Sequence, residues 1–295
     1  MVRRVFFAEG GRYAPKSLKL TVATQNVIAL RLSDKNTAAV SDWKRGESYK
    51  TRTAIMAKLL KSVNPSIVGT QEAGSKDHSA IFNTALGAAL GGSWKDVLYG
   101  DGWDITQTVT HRSDVYNEVS KGYIQVTPEG LKGSHCTWTY KVLQDKATSK
   151  KFVVVSMHLE HRIGTAYDKA REKQCLSGIP KIEKIAAGLP IIYMGDANGA
   201  KEDAYDGPGK AFKAKGYTDV EDTTAVGVNI AHDSYNGLST DAKKKQNARQ
   251  IDRVWINQKQ ITASRRVVVI NIKNDQYVTP FGSDHWAVAV DLTIK

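Results

Sequence analysis

The sequence predicts a mixed α/β fold in which β-sheet is covered by helices on the outside. Near the N-terminus, strand patterns at 18–30 and 66–72 alternate with helical patterns. Between 94 and 157, strand patterns follow one another with only turn residues between them, which indicates antiparallel pairing. The 295 residues, 41% hydrophobic and 24% charged, suit a globular protein with one large α/β domain or two small ones.

In the first part of the chain, strands and helices are expected to alternate. The strand at 18–30 alternates apolar and polar side chains and is rich in β-branched residues. The helix at 49–63 has apolar residues at helical spacing with lysines opposite them, and Pro65 follows its end. The apolar run 66–72 predicts a second strand, and 78–92 predicts a second helix closed by two glycines.

In the second part of the chain, short strands dominate. A helix is expected at 165–188, interrupted near Gly178 and Pro180, and a shorter one at 202–215. The long polar stretch 221–249 contains a lysine-rich segment that we expect to be an exposed basic loop. The predicted strands lie at 94–100, 104–112, 118–126, 134–143, 151–160, 189–198, 250–257, 262–272 and 284–294.

The sequence contains no low-complexity linker, internal repeat or break in composition. It therefore predicts a single domain over 18–295, preceded by an N-terminal arm, 1–17. No apolar run reaches the ~20 residues of a membrane span, and the N-terminal apolar stretch is too short for a secretory signal. The location stays open between the cytoplasm and secretion without a visible signal peptide.

The chain is strongly basic, with 42 Lys and Arg against 30 Asp and Glu and a net charge of +12. Such an excess favours a polyanionic partner, either nucleic acid or an anionic surface. A basic protein with a solvated face is the alternative. The two cysteines, Cys136 and Cys175, have no spacing that indicates a zinc site or a disulfide framework. They could pair, or they could be small buried residues.

A polar pair ends the most apolar strand pattern of the chain. The run LPIIYMGDAN, 189–198, closes with Asp196 and Asn198, which point the same way if the chain is extended. A carboxylate and an amide in this position are costly unless a ligand or a hydrogen-bond network satisfies them. An Asx turn that caps the next helix is the alternative.

Other strands carry similar side chains at their ends. Four predicted strands finish in polar groups of this kind, and two more begin with them. If the last two strands run opposite to the first four, all six groups meet at one edge of the sheet assembly, where functional sites are commonly built. These groups are Asn26, Glu72, His158, the pair Asp196 and Asn198, Asp252, and the run Ser283-Asp284-His285.

This inventory of side chains indicates metal-assisted chemistry on a phosphate ester. Carboxylates and amides without thiolates suit Mg²⁺, with Mn²⁺ or Ca²⁺ as alternatives. Two histidines beside acids suit proton transfer to and from oxygen. The sequence has no G-x-S-x-G motif for a serine nucleophile and no P-loop motif for a nucleotide phosphate. Metal-assisted hydrolysis therefore fits best.

Six short motifs and their order along the chain resemble those of the endonuclease/exonuclease/phosphatase superfamily, also called DNase I-like. Arg171 and Gln174 also resemble the R-x-x-Q of that family. The resemblance extends from about residue 18 to 293, and it implies a four-layer α/β/β/α sandwich of two mixed β-sheets flanked by helices. The motifs are TQN (24–26), IVGTQE (67–72), SMHLE (156–160), GDAN (195–198), IDRV (251–254) and SDHWAV (283–288).

The resemblance implies roles for the acidic residues and amides. Glu72 would be the principal metal ligand, with Asn26 and Asp284 close by. Asp284 could instead orient the histidine that follows it. Asp196 and Asn198 would position the attacking water and the scissile phosphate, and a nearby Asp could polarise that water.

The resemblance also implies roles for the histidines and two arginines. His285 would be the general base or would bind a phosphate oxygen, with Asp252 holding its other ring nitrogen. His158 would protonate the leaving oxygen or stabilise the developing charge. Arg112 and Arg162 would contact the substrate, although Arg162 could equally lie in a solvated loop.

Taken together, the sequence predicts a divalent-metal-dependent phosphodiesterase, and we expect a monomeric nuclease that prefers DNA to RNA. The segment Lys243–Lys245 with Arg249 could contact a nucleic-acid backbone next to Asp252. GDAN is followed by Gly199 and not by the Ala-His of apurinic-site endonucleases. A phosphatase or a sphingomyelinase-like lipid phosphodiesterase of the same superfamily stays open, whereas the intact motif residues argue against an inactive binding module.

Overall fold

The computed structural model describes residues 17–28, 48–73, 76–96, 107–126 and 137–295. The predicted arm, apart from its last residue, lies outside these ranges, and so does Cys136. Cys175 is buried. Among the described helices, none combines the length and the apolar character that a membrane span requires.

Within the described ranges the chain forms α-helices and β-strands in a mixed order. The helices are α1 (Tyr49–Leu60), α2 (Lys76–Leu90), α3 (Thr165–Ala186) and α4 (Gly207–Ala214). The strands are β1 (Leu18–Asn26), β2 (Ile67–Gln71), β3 (Trp94–Lys95), β4 (Thr108–Arg112), β5 (Tyr116–Gln125), β6 (Thr137–Asp145), β7 (Lys151–His158), β8 (Ile191–Asp196), β9 (Thr218–Asp219), β10 (Val226–Val228), β11 (Asp252–Ile256), β12 (Ile261–Val269), β13 (Ile272–Lys273), β14 (Gln276–Tyr277) and β15 (Ala287–Ile294).

These strands build two large mixed sheets. The first has the order β10-β12-β15-β1-β2-β4-β3, and the second has the order β5-β6-β7-β8-β11-β9. In the first sheet β1 runs parallel to β2 and antiparallel to β15. In the second sheet β8 runs parallel to β7 and antiparallel to β11. Strands β13 and β14 form a small separate hairpin.

The two sheets pack face to face and carry helices on their outer faces. Apolar residues from both inner faces, such as Val22, Ile67 and Ile192, form one buried cluster between the sheets. A second cluster joins α1 and α2 to the outer face of the first sheet. A third joins α3 and α4 to the second sheet. The expected α/β/β/α sandwich is therefore confirmed.

This topology brings six strand ends to one edge, as the polar strand ends predict. Strands β1, β2, β7 and β8 finish at this edge. Strands β11 and β15 start there, because each runs antiparallel to its neighbour. The register places Asp252 opposite Asp196 and places His158 beside Asp196 on the other side.

Helix α3 differs from its prediction, because Pro180 lies inside a continuous helix of 22 residues. Packing outweighs the loss of one backbone hydrogen bond at the proline. A Cβ atom on Gly178 would lie only 2.5 Å from the ring of Trp138, so the glycine lets the helix approach the sheet closely. The helix also buries Ile179 and Ile182 against that sheet. Removing these contacts would cost more than the missing hydrogen bond.

A charged cluster lies between the sheets at the edge opposite to the polar strand ends. Lys141 on β6 is fully buried, and its Nζ lies 3.0 Å from Nδ1 of His111 on β4 and 3.0 Å from Oε2 of Glu118. Burial and the charge of Lys141 lower the pKa of His111 to about 4. His111 is therefore neutral at pH 7 and accepts a hydrogen bond from Lys141.

We expect the stability of the protein to fall between about pH 6.5 and pH 4 because of His111. In this range an unfolded chain binds a proton at residue 111 and the folded chain does not, so acid favours unfolding. The loss should approach about 3 kcal/mol. Urea unfolding at pH 7 and pH 4.5 measures it. His111→Gln does not titrate and should show a smaller decrease than the wild type, whereas equal decreases would contradict this role.

Candidate active site

Asn26 holds two carboxylates together at the polar strand ends. Its Nδ2 group donates hydrogen bonds to Oε1 of Glu72 at 2.9 Å and to Oδ2 of Asp196 at 3.0 Å. Its Oδ1 accepts from the backbone N–H of Ile28 at 3.0 Å, which fixes the orientation of the amide. Asn26 therefore turns its donor side to the carboxylates. Its hydrogen bonds position Glu72 and Asp196, and its expected place among the metal ligands stays a prediction.

Two histidines lie on either side of Asp196. Nε2 of His158 is 3.6 Å and Nε2 of His285 is 3.7 Å from Oδ2 of Asp196. Nδ1 of His285 donates to Oδ2 of Asp252 at 2.9 Å, so Asp252 orients this ring. Asp252 is itself buried, so its charge acts on His285 with little screening by solvent.

The buried charges of the site shift the pKa values of Asp196 and His285. Burial raises the pKa of Asp196, but the charges of His285 and His158 and the hydrogen bond from Asn26 outweigh burial and place the pKa below its ordinary value. Burial lowers the pKa of His285, but Asp252 and Asp196 outweigh burial and place it well above its ordinary value. His285 is thus an imidazolium at neutral pH, suited to donate a hydrogen bond to an anionic oxygen.

Asp284 and Ser283 connect the β15 end to the β1 end. The hydroxyl of Ser283 donates to the carbonyl of Asn26 at 2.7 Å and accepts from the backbone N–H of His285 at 3.1 Å. Burial is the main cause that raises the pKa of Asp284 to about 6, and the charges of Glu72 and Asp196 add to it against the lowering effect of His285. Three carboxylates therefore act on one another here, which is where a cation is most stabilising.

Two residues of the site have left-handed backbone conformations. Glu72 has φ = 59° and Asn198 has φ = 49°. The N–H of Asn198 donates to Oδ1 of Asp196 at 2.9 Å, so an Asx turn forms here, but it does not cap the next helix, which begins at Gly207 with Asp206 as its N-cap. Oδ2 of the same carboxylate faces Asn26 and the histidines. Nδ2 of Asn198 donates to the carbonyl of Leu159 at 3.0 Å, which joins this turn to the end of β7.

The loop after β7 is held by the residues of the R-x-x-Q pattern. Arg171 donates to the carbonyl of Glu160, and Oε1 of Gln174 accepts from the N–H of Glu160 at 3.0 Å. The carboxylate of Glu160 binds Arg162 through two hydrogen bonds of 2.7 and 2.9 Å. Arg162 thus stays near the His158 end of the site, with a side chain that is 46% exposed.

Arg112 is not brought to the site. Strand β4 runs antiparallel to β2, so its C-terminal residue lies beside the start of β2, whereas Glu72 follows the end of β2. The N–H of Arg112 donates to the carbonyl of Ser66 there, and its guanidinium pairs with Asp114. The expected substrate contact is corrected, because the strand direction places Arg112 at the opposite edge.

The segment 234–237 forms a further wall of the site that the sequence reasoning missed. Ser234 Oγ accepts from the backbone N–H groups of Ile251 and Asp252 at 3.0 and 3.1 Å. The N–H of Asn236 donates to the carbonyl of Asp284 at 2.8 Å. Tyr235 lies edge-on against His285 with ring centroids 5.0 Å apart and is 40% exposed. The polar stretch has no periodicity that could have revealed this wall.

The side chains present fit a hard divalent cation. Asp196, Asp252 and His285 offer ligand atoms within 4.8 Å of one another, so this group could hold a metal ion. His285 carries a raised pKa and is bonded to Asp252, which disfavours it as a ligand. Glu72 and Asp284 add carboxylate oxygens, the ligands that Mg²⁺ prefers, to the surroundings of Asp196, since Asn26 bonds Glu72 and Asp196 and the charges of both act on Asp284.

Comparison with known proteins gives matches only at the level of structure. No family model and no curated protein matches the sequence. An endonuclease/exonuclease/phosphatase family protein from Bacteroides thetaiotaomicron has a TM-score of 0.71 at 21% identity over 95% of this chain and 99% of its own. A mannosyl-6-phosphatase from the same species has a TM-score of 0.69 at 22% identity over 92% and 99%.

A third solved structure, D. rerio TDP2 complexed with single-strand DNA product, has a TM-score of 0.60 at 17% identity over 93% of this chain and 98% of its own. At identities this low, the structural matches establish similarity of fold. The chain therefore has the fold of the endonuclease/exonuclease/phosphatase superfamily, as the order of its motifs predicts.

Proposed function

We propose that this protein is a divalent-metal-dependent phosphodiesterase that hydrolyses nucleic acid. The observation that carries the proposal is the cluster in which Asp196 touches Asn26 and lies between two histidines, beside Glu72. This arrangement combines carboxylates for a cation with proton donors for phosphate oxygens. Such a combination suits attack of water on a phosphate ester.

The chain's own residues would divide the work around the scissile phosphate. Asp196, ionised because its pKa is lowered, would orient the attacking water and accept its proton. His285, held as an imidazolium by Asp252, would donate a hydrogen bond to a phosphate oxygen. His158, 3.6 Å from Asp196, would face the leaving oxygen and supply its proton.

Glu72, Asp196 and Asp284 would hold the cation. When bound, a divalent metal would offset negative charge on the phosphate in the transition state. Asn26 would keep two of these ligands at a fixed spacing through its paired hydrogen bonds. The raised pKa of Asp284 supports this assignment, since a cation there would relieve the repulsion among the carboxylates.

The net charge of +12 supports nucleic acid as the substrate. The structural similarity to TDP2 complexed with single-strand DNA product agrees with this choice. A phosphatase acting on a phosphorylated sugar is the second candidate, because a mannosyl-6-phosphatase shares the fold at a higher TM-score. The two candidates differ in whether the substrate carries one phosphate or a chain of them.

A substrate panel with Mg²⁺ separates these candidates. Supercoiled plasmid, an end-labelled single-stranded oligonucleotide, mannose 6-phosphate and sphingomyelin are incubated with the protein, with and without EDTA. We expect cleavage of the nucleic acids and no cleavage with EDTA. Phosphate release from mannose 6-phosphate with inert nucleic acids would favour the phosphatase, and inert substrates throughout would overturn the hydrolase proposal.

A further inference from the structure

The ammonium group of Lys245 lies next to the exposed ring of Tyr235 at the mouth of the candidate site. Nζ of Lys245 is 5.3 Å from the centroid of the Tyr235 ring. The same ring also contacts the ring of His285, with 5.0 Å between the two centroids. The ammonium group is thus separated from the catalytic imidazole by a single side chain, on a surface that solvent reaches.

Lys245 differs from the basic residues around it in its partners. Lys243 pairs with Asp275 at 3.0 Å, and Lys244 approaches Asp241 at 3.7 Å. Arg249 binds Asp203 through two hydrogen bonds of 3.1 Å. Within the described part of the chain, Lys245 forms no ion pair with a carboxylate. Its charge is therefore available to an anion that approaches Tyr235.

The backbone around Lys245 is held in place. The carbonyl of Lys245 accepts a hydrogen bond from the N–H of Asp233 at 2.7 Å. Oδ1 of Asp233 accepts from the backbone N–H groups of Asn247 and Arg249 at 3.2 and 3.0 Å. The loop that carries the lysine is thus tied to the segment that carries Tyr235. Because both are fixed, little order has to be gained when a ligand binds between them.

We propose that Tyr235 and Lys245 form a subsite for the nucleotide unit next to the scissile phosphate. This inference rests on the proposed function and names the part of the substrate that it would recognise. The base or sugar lies against the Tyr235 ring, and the neighbouring phosphate binds the Lys245 ammonium group. The subsite favours substrates with more than one phosphate over simple phosphate monoesters.

The test compares two substitutions that remove the same charge from the same turn. Lys245→Met is expected to weaken binding of a fluorescent single-stranded DNA oligonucleotide about tenfold relative to Lys244→Met, since a charge-assisted contact is lost. Fluorescence anisotropy with EDTA measures this binding without cleavage. Lys245→Arg should restore binding, and the dependence of log Kd on log salt should fall by about one unit in Lys245→Met.

Hydrolysis provides an independent readout. With Mg²⁺, Lys245→Met should raise the KM for the oligonucleotide about tenfold more than it raises the KM for bis(p-nitrophenyl) phosphate, which has a single phosphate. Tyr235→Leu should weaken oligonucleotide binding, and Tyr235→Phe should keep it. Equal Kd values for the Lys245→Met and Lys244→Met variants would overturn the subsite. Normal DNA binding without hydrolysis of either substrate would overturn the proposed function instead.

Discussion

Replacing Asp196 with Asn is expected to lower kcat on a nucleic-acid substrate by at least about a hundredfold. The neutral amide keeps an oxygen that can accept from the N–H of Asn198, so the turn after β8 should persist. It loses the charge that faces His158 and His285 and the oxygen that would accept a proton from water. Activity should therefore fall while the fold is retained.

Single-turnover cleavage of an oligonucleotide measures this effect, and thermal unfolding checks the fold. Asp222→Asn is the matched control, because it makes the same chemical change at a surface carboxylate that pairs with Lys201. The control should cleave at the wild-type rate. A wild-type rate for Asp196→Asn would remove this carboxylate from the mechanism.

Glu72→Gln is expected to raise the Mg²⁺ concentration for half-maximal activity at least about tenfold. The amide oxygen can still accept the hydrogen bond from Asn26, so the side chain should stay in place. The loss of one negative charge weakens the attraction of the site for a divalent cation. High Mg²⁺ should restore part of the lost activity.

Activity measured against Mg²⁺ concentration, at saturating substrate, gives this value. Glu160→Gln is the control, since Glu160 lies on the loop after β7 and binds Arg162 through its carboxylate. Its dependence on Mg²⁺ should match that of the wild type. The same half-maximal concentration in Glu72→Gln and in the wild type would show that Glu72 holds no metal.

Much of the site could be predicted from the sequence because it is built at strand ends. A buried apolar run predicts a strand, and a carboxylate or histidine at its end indicates a group that needs a partner. Glu72, His158 and Asp196 follow this rule, and strand direction then brings them together. The β11 and β15 ends join them because antiparallel pairing reverses those strands.

Two features of the chain could not be predicted, because a sequence pattern gives neither the direction of a strand nor the orientation of an amide. Arg112 ends a strand in the sequence, but β4 is antiparallel to β2, so its last residue lies at the wrong edge. Asn26 lies at the right edge, but the N–H of Ile28 decides which face of its amide meets the carboxylates. Strand pairing depends on contacts between residues far apart in the chain, whereas the orientation of the Asn26 amide depends on a hydrogen bond from a residue two positions away.

The wall formed by 234–237 could not be predicted, because its position depends on single hydrogen bonds. Ser234 is held by the N–H of Asp252, and Asn236 is held by the carbonyl of Asp284. Neither contact leaves a period in the sequence. The aromatic ring and the lysine at the mouth of the site therefore become visible only in the structure.

Polar groups from six strand ends meet at one edge of the sheets, where we propose that carboxylates among them hold a cation for phosphate-ester hydrolysis. Anomalous diffraction from crystals soaked in Mn²⁺ tests it directly. We predict a peak in contact with carboxylate oxygens of Glu72 and Asp196, which disappears in Glu72→Gln crystals soaked at the same concentration. A Mn²⁺ peak elsewhere in the molecule, with none between these two carboxylates, would contradict the account.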